Sequence, residues 1–194
     1  MSLGTPTGFT GTLVNDDTGT IPAVTIAAGT NVRVTEGNTG SASYTFQINL
    51  SSAASTSQTV NWAVTGSGVN PASASDFAGS VLPSGTLTFA AGEISKTITV
   101  NVAGDTTVEA DESFTVTLTS PSAGLTIGTS TATGTIQNDD TSTASIAASS
   151  AVKAEGNSGV TPFTFTVTLD QAPVSSQTVN WAVTGSGVNP ASAS

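Results

Sequence analysis

The sequence predicts an all-β chain built around an immunoglobulin-like, seven-stranded antiparallel β-sandwich, and three observations carry that prediction. Apolar and polar residues alternate over short stretches, the period of a half-buried strand. Thr and Val fill many of the remaining positions, side chains that suit a pleated surface. No stretch shows a 3.6-residue period with caps, and seven short strands fit between residues 18 and 140. That spacing favours a sandwich, with a closed barrel as the second architecture such a pattern allows.

The strands follow in order. The first is expected over roughly 22–35, and the second over 41–50, where Tyr44, Phe46, Ile48 and Leu50 alternate. The third covers 57–65 with Val60, Trp62 and Val64, Trp62 being read as a core residue. Leu87 and Phe89 mark a fourth over 86–90, and Ile98, Val100 and Val102 a fifth over 94–102. Phe114, Val116 and Leu118 place the sixth over 112–120, and the seventh occupies 129–137.

Internal repetition sets the domain boundaries. The stretch SQTVNWAVTGSGVNPASAS at 57–75 recurs unchanged at 176–194. Glu36-Gly37-Asn38 recurs as Glu155-Gly156-Asn157, and Asn15-Asp16-Asp17 as Asn138-Asp139-Asp140. With Asn-Asp-Asp taken as the end of a unit, residues 1–17 are the last strand of a preceding copy and 18–140 are a complete copy. Residues 141–194 are then the N-terminal part of a following copy, and the whole is read as tandem repeats.

Composition removes several function classes. The 194 residues include no Cys, no His, three basic residues and thirteen acidic ones, for a net charge of −10. Such a field repels nucleic acid. No apolar run approaches the roughly 18 residues of a membrane span, so direct membrane insertion is not expected. Without Cys or His the usual zinc and copper ligand sets are gone, and hard, oxygen-ligated cations remain. A Ser-His-Asp or Cys-His arrangement is impossible, and the chain is read as non-enzymatic. Glu109 and Glu112 resemble a glycosidase pair only in spacing, since no aromatic-lined cleft accompanies them.

Antiparallel threading turns the scattered acids into a cluster. If the first strand descends and each later strand reverses, the 36–40 turn, the loop carrying Asp76, the 104–112 loop and the Asn138-Asp139-Asp140 end all lie at one pole. Glu36, Asp76, Asp105, Glu109, Asp111, Glu112, Asp139 and Asp140 are gathered there, and only Glu93 of the complete copy lies at the other pole. Unit charges about 4 Å apart repel by several kcal/mol at an effective dielectric near 20. Ca2+ relieves this best, because it accepts roughly 6–8 oxygen ligands in flexible geometry, whereas Mg2+ demands a tight octahedron and keeps its waters. More than one ion per unit is expected, the alternative being a solvated acidic rim.

Five spaced motifs resemble the Calx-beta domain family. They are Val34-Thr35-Glu36-Gly37-Asn38, Ser75-Asp76-Phe77, GTLTFAAGE at 85–93, GDTTVEADESF at 104–114 and GTIQNDD at 134–140. The resemblance implies a seven-stranded sandwich with calcium at its distal loops, as in sodium–calcium exchanger regulatory domains and bacterial surface proteins. Carried over position by position, it implies ligands at Glu36, Asp76, Asp105, Glu109, Glu112, Asp139 and Asp140, with Asp111 a weaker match. Gly104, Thr106, Ala110 and Asn138 stand where calcium-sensing members often carry acids. Weaker binding follows, in the roughly 10⁻⁴–10⁻³ M range of extracellular modules.

The functional expectation is a calcium-binding structural or adhesive repeat of a secreted or cell-surface protein, bacterial in origin, whose ions stiffen the domain and its junction with the next repeat. The alternatives are a calcium-sensing regulatory domain of a membrane transporter and a metal-free stalk. Expected partners are the adjacent repeats of the same chain and an unidentified protein or glycan target. The 1–17 strand and the 141–194 segment are also expected to pair, within or between chains.

Overall fold

Two β-sheets face each other in a computed structural model that describes residues 20–29 and 32–191. The strands are β1 (Ala23–Ala28), β2 (Arg33–Thr35), β3 (Ser41–Leu50), β4 (Gln58–Ser67), β5 (Ser84–Phe89), β6 (Ser95–Ala103), β7 (Glu112–Thr119), β8 (Thr126–Thr129) and β9 (Thr131–Gln137). One sheet runs β6-β3-β1-β8 and the other β2-β9-β7-β4-β5. The expected sandwich is therefore present, and each predicted strand has a counterpart.

Two strands differ from the expectation in an informative way. The single strand expected over 22–35 is divided into β1 and β2, which belong to opposite sheets. At the crossing the Gly29 N–H donates to the Thr45 carbonyl at 2.9 Å, and a Cβ on Gly29 would meet that oxygen at 2.2 Å. Only a residue without a side chain lets the backbone pass so close to β3. The last expected strand, 129–137, corresponds to β9, and β8 precedes it as a short strand that was not expected. Each half of the first strand pairs with one of these two, and both pairings are parallel: β1 with β8, and β2 with β9. The remaining pairings of the sandwich are antiparallel.

Alternation fills the space between the sheets. Tyr44, Phe46 and Ile48 of β3 and Val100 and Val102 of β6 face Val60 of β4 and Phe114 and Val116 of β7, all fully buried. Phe114 lies at the centre, edge-to-face with Tyr44, Phe46 and Phe77 at centroid distances of 5.2, 6.0 and 5.4 Å. Gly134 makes room for it, since a Cβ there would lie 2.5 Å from Phe114 Cζ. Trp62 is half-buried, packed against the core beside Gly85 rather than sealed inside it.

After Asp140 the chain forms a separate two-stranded sheet, β10 (Ala144–Ser150) with β11 (Thr164–Leu169). Its apolar face is open: Ile146, Phe165, Val167 and Leu169 are exposed. Residues 176–191 repeat 57–72 letter for letter, yet they form no strand and Trp181 is 79% exposed. β4 has β5 and β7 on its flanks and a sheet beneath it; the second copy of its sequence has neither. Strand propensity alone does not hold a strand. Residues 1–17, read as a strand of a preceding copy, lie outside the described residues.

Removal of the central ring tests this core. Phe114→Ala is expected to cost about 3–5 kcal/mol of unfolding free energy, read from urea denaturation. A loss below about 1 kcal/mol would place the packing centre elsewhere.

Candidate metal centre

The parallel seam between β2 and β9 builds the first half of the site. Its register sets Thr35 against Gln137, so the next residues of both strands emerge side by side. The Glu36 N–H donates to the Gln137 carbonyl at 3.2 Å, and the Gly37 N–H to Asp139 Oδ1 at 3.1 Å. Gly37 has φ 76°, a conformation that costs glycine little and turns its N–H toward that carboxylate. Asn38 Nδ2 donates to Asp140 Oδ1 at 3.0 Å. Beneath, the Tyr44 hydroxyl lies 2.9 Å from the Val34 carbonyl and 2.7 Å from the Thr135 carbonyl, pinning the two strands together.

Aromatic anchoring builds the second half. Asp76 ends a single 3-10 turn, Ala74–Asp76, and its carboxylate accepts the Ser73 N–H. The next residue, Phe77, is fully buried against Phe114 and bridges to Val102. Glu112 stands two residues before Phe114 on β7, and the loop preceding Asp76 is tied to that strand by Ala72 N–H to the Ser113 carbonyl at 2.9 Å. Two buried phenylalanines thus hold two carboxylates together above them.

The loop between β6 and β7 supplies the rest. Gly104 presses on the 36–40 turn so closely that a Cβ would fall 2.1 Å from the Gly37 carbonyl oxygen. An acid at that position would therefore force the turn apart, which explains why this chain carries none there. The Thr107 N–H donates to Asp105 Oδ1 at 2.6 Å, and the Glu109 N–H to Asn138 Oδ1 at 3.2 Å.

Two groups result. Glu36, Asp139 and Asp140 each offer an oxygen within 4.8 Å of the others, and so do Asp76, Glu109 and Glu112. Asp105 joins them electrostatically, raising the proton affinity of Glu36, Glu109 and Asp140. The structure thus brings together seven of the eight expected acids. Asp111 stays at the same pole but turns away, forming an ion pair with Arg33 at 2.8 Å. Lys96 pairs with Glu93 at 2.9 Å. Among the described residues no basic side chain forms an ion pair with the seven.

Glu36 and Asp76 are only 6% and 8% exposed, while Asp105 and Asp139 face solvent. Burial, followed by the charges of Asp105, Glu109, Asp140 and Asp139, pushes the Glu36 carboxyl up to about 7. Burial and the hydrogen bond shared with Asp76 push Glu112 up to about 8. Burial foremost also raises Glu109, next to Asp76, and Asp140, next to Asp139. Asp140 Oδ2 is buried with no hydrogen-bond partner. An orphaned carboxylate oxygen inside an all-oxygen cluster fits a hard divalent cation, with Glu36, Asp139 and Asp140 holding one ion and Asp76, Glu109 and Glu112 a second. An ion there would supply the positive charge that no basic side chain among the described residues brings to these acids.

The Calx-beta domain family matches residues 29–140, more than half of the chain. The chain belongs to the Calx-beta family. Similar solved structures include the apo form of the Calx CBD1 domain, at 22% identity over 61% of this chain and 99% of that one, with TM-score 0.49. The calcium binding domain CBD12 of CALX1.1 is similar at 23% identity over 59% of this chain and 46% of that one, with TM-score 0.49. The Calx CBD2 domain follows at 16% identity over 59% and 86%, with TM-score 0.45. No curated protein sequence matches the chain.

In this Calx-beta unit, sequence reasoning passed over Asn138, seen only as a missing acid. Its Oδ1 accepts the Glu109 N–H and its Nδ2 donates to the Asp140 carbonyl at 2.9 Å, so it ties the 104–111 loop to the end of β9. An aspartate there would lack that donor. The signal was available in the repeated Asn-Asp-Asp, which also places an amide at Asn15.

The raised carboxyls give a pH dependence of definite sign. Glu36 and Glu112 favour their protonated forms in the folded state, so their contribution to stability is complete below about 4.5 and is lost as pH climbs through about 7 and about 8. In EDTA the melting temperature is expected to fall between pH 5 and pH 8. A flat or rising profile would show that these groups are not close-packed.

Proposed function

We propose that residues 20–140 form a calcium-binding structural unit of a repeated protein, and that the ions stiffen its pole and the junction beyond Asp140. The observation that carries this reading is the pair of carboxylate triads at one pole, with no basic partner among the described residues and one buried oxygen left unsatisfied. Calcium suits the site better than magnesium because the donors come from four separate loops, which adapt to a large, irregular coordination shell. That the fold relative CBD12 of CALX1.1 is described as a calcium binding domain agrees with this choice.

The unit acts by binding. Its acids are held by backbone and core contacts rather than placed around a substrate cleft, and the chain has no His or Cys to serve as nucleophile or base. Affinities in the roughly 10⁻⁴–10⁻³ M range fit a secreted or surface-displayed parent protein, since extracellular modules work there. The neighbouring repeats are the partners that this geometry favours.

Calcium titration by calorimetry should show saturable binding to the wild-type chain and none to Asp105→Asn combined with Asp139→Asn. Calcium at about 100 times its dissociation constant should add about 2.7 kcal/mol of stability, read as a higher melting temperature than in EDTA. An unchanged melting temperature would refute the proposal.

A further inference from the structure

Among the described residues, one side chain after Asp140 hydrogen-bonds the 104–111 loop. Gln171 follows β11, and its Oε1 accepts the Val108 N–H at 3.2 Å while its Nε2 donates to the Thr106 carbonyl at 2.7 Å. One amide thus grips the backbone on both sides of Thr107, between Asp105 and Glu109. Ser142 Oγ donates to the Gln171 carbonyl at 3.0 Å and steadies the gripping residue from the linker side.

The internal repeat separates this grip from the closure of the hairpin itself. In the complete unit the Ala23 N–H donates to Ser51 Oγ at 2.9 Å and Ser51 N–H to the Ala23 carbonyl at 2.9 Å. In the following segment Thr143 and Asp170 reproduce both bonds, at 2.7 and 3.2 Å. The β10–β11 hairpin therefore closes with Asp170 alone. The next residue is Ser52 in the complete unit and Gln171 here. Ser52 is too short for such a reach, so the Gln171 contacts are additional to what the hairpin needs.

Little else holds the joint. Among the described residues no other side chain beyond Thr143 hydrogen-bonds the sandwich. A cleft remains between Val108, Asn138 and Asp140 on one side and Val167, Leu169 and Val174 on the other. Across this joint the two Gln171 amide bonds are the direct side-chain hydrogen bonds among the described residues.

We infer that Gln171 is a positioning residue that couples metal occupancy of the 104–111 loop to docking of the following repeat. The inference rests on the calcium reading above. A loop fixed by an ion offers its Thr106 and Val108 backbone groups in one place, and a docked Gln171 holds the same loop ready for the ion. The coupling is reciprocal, as linkage requires.

The test uses the full 194-residue chain and Gln171→Ser, a residue that the equivalent hairpin position already accepts in Ser52. Calcium affinity by calorimetry is expected to fall about five-fold in the variant, the lower end of typical couplings. Hydrogen exchange supplies a readout that a merely structural role would not move: calcium should slow exchange at the Thr143 and Asp170 amides in the wild type but not in the variant. Equal affinities and equal calcium-dependent protection, with calcium bound to both, would overturn this inference and leave the calcium reading standing. No calcium binding by the wild type would overturn both.

Discussion

Everything at the functional pole depends on one constraint: seven carboxylates are held close together by backbone and aromatic contacts that their own charges oppose. The fold supplies the restraint in two ways. Phe77 and Phe114 pack in the core, and the acids that precede them, Asp76 and Glu112, have no freedom to separate. Glu36 and Asp139 are fixed across the β2–β9 seam by the Glu36 N–H on the Gln137 carbonyl and the Gly37 N–H on the Asp139 carboxylate. Electrostatic repulsion is therefore stored rather than relaxed, and protons or a divalent cation are the two means of lowering it.

Much of this was legible in the sequence. Alternation located the strands because each has one buried and one solvated face, and the direction of travel followed from short connections. Those two steps put Glu36, Asp76, Asp105, Glu109, Glu112, Asp139 and Asp140 at one pole without coordinates. They did not divide the acids into triads. That division comes from the parallel pairing of β2 with β9, which no local pattern announces, since residues 22–35 read as one unbroken strand apart from Gly29. Asp111, the weaker match, lies at the expected pole, but its side chain follows Arg33, a partner fixed only by the tertiary fold.

The repeated sequence separates local propensity from context. Residues 57–67 and their unchanged copy beginning at 176 share every side chain, yet one is a core strand and the other is exposed and irregular. Sheet neighbours and a covering face account for the difference. The same logic applies to the joint after Asp140, where the hairpin reuses the Thr143–Asp170 closure and adds the Gln171 grip. Domain and junction thus share one closure, with Ala23, Ser51 and Ser52 replaced by Thr143, Asp170 and Gln171 in the hairpin.

The most direct test is a crystal structure grown in millimolar calcium, with the ions placed by anomalous scattering. The account predicts one ion among Glu36, Asp139 and Asp140, with Asp140 Oδ2 among its ligands, and another among Asp76, Glu109 and Glu112. A structure at that concentration with only water among these carboxylates, or with the two groups splayed apart, would contradict it.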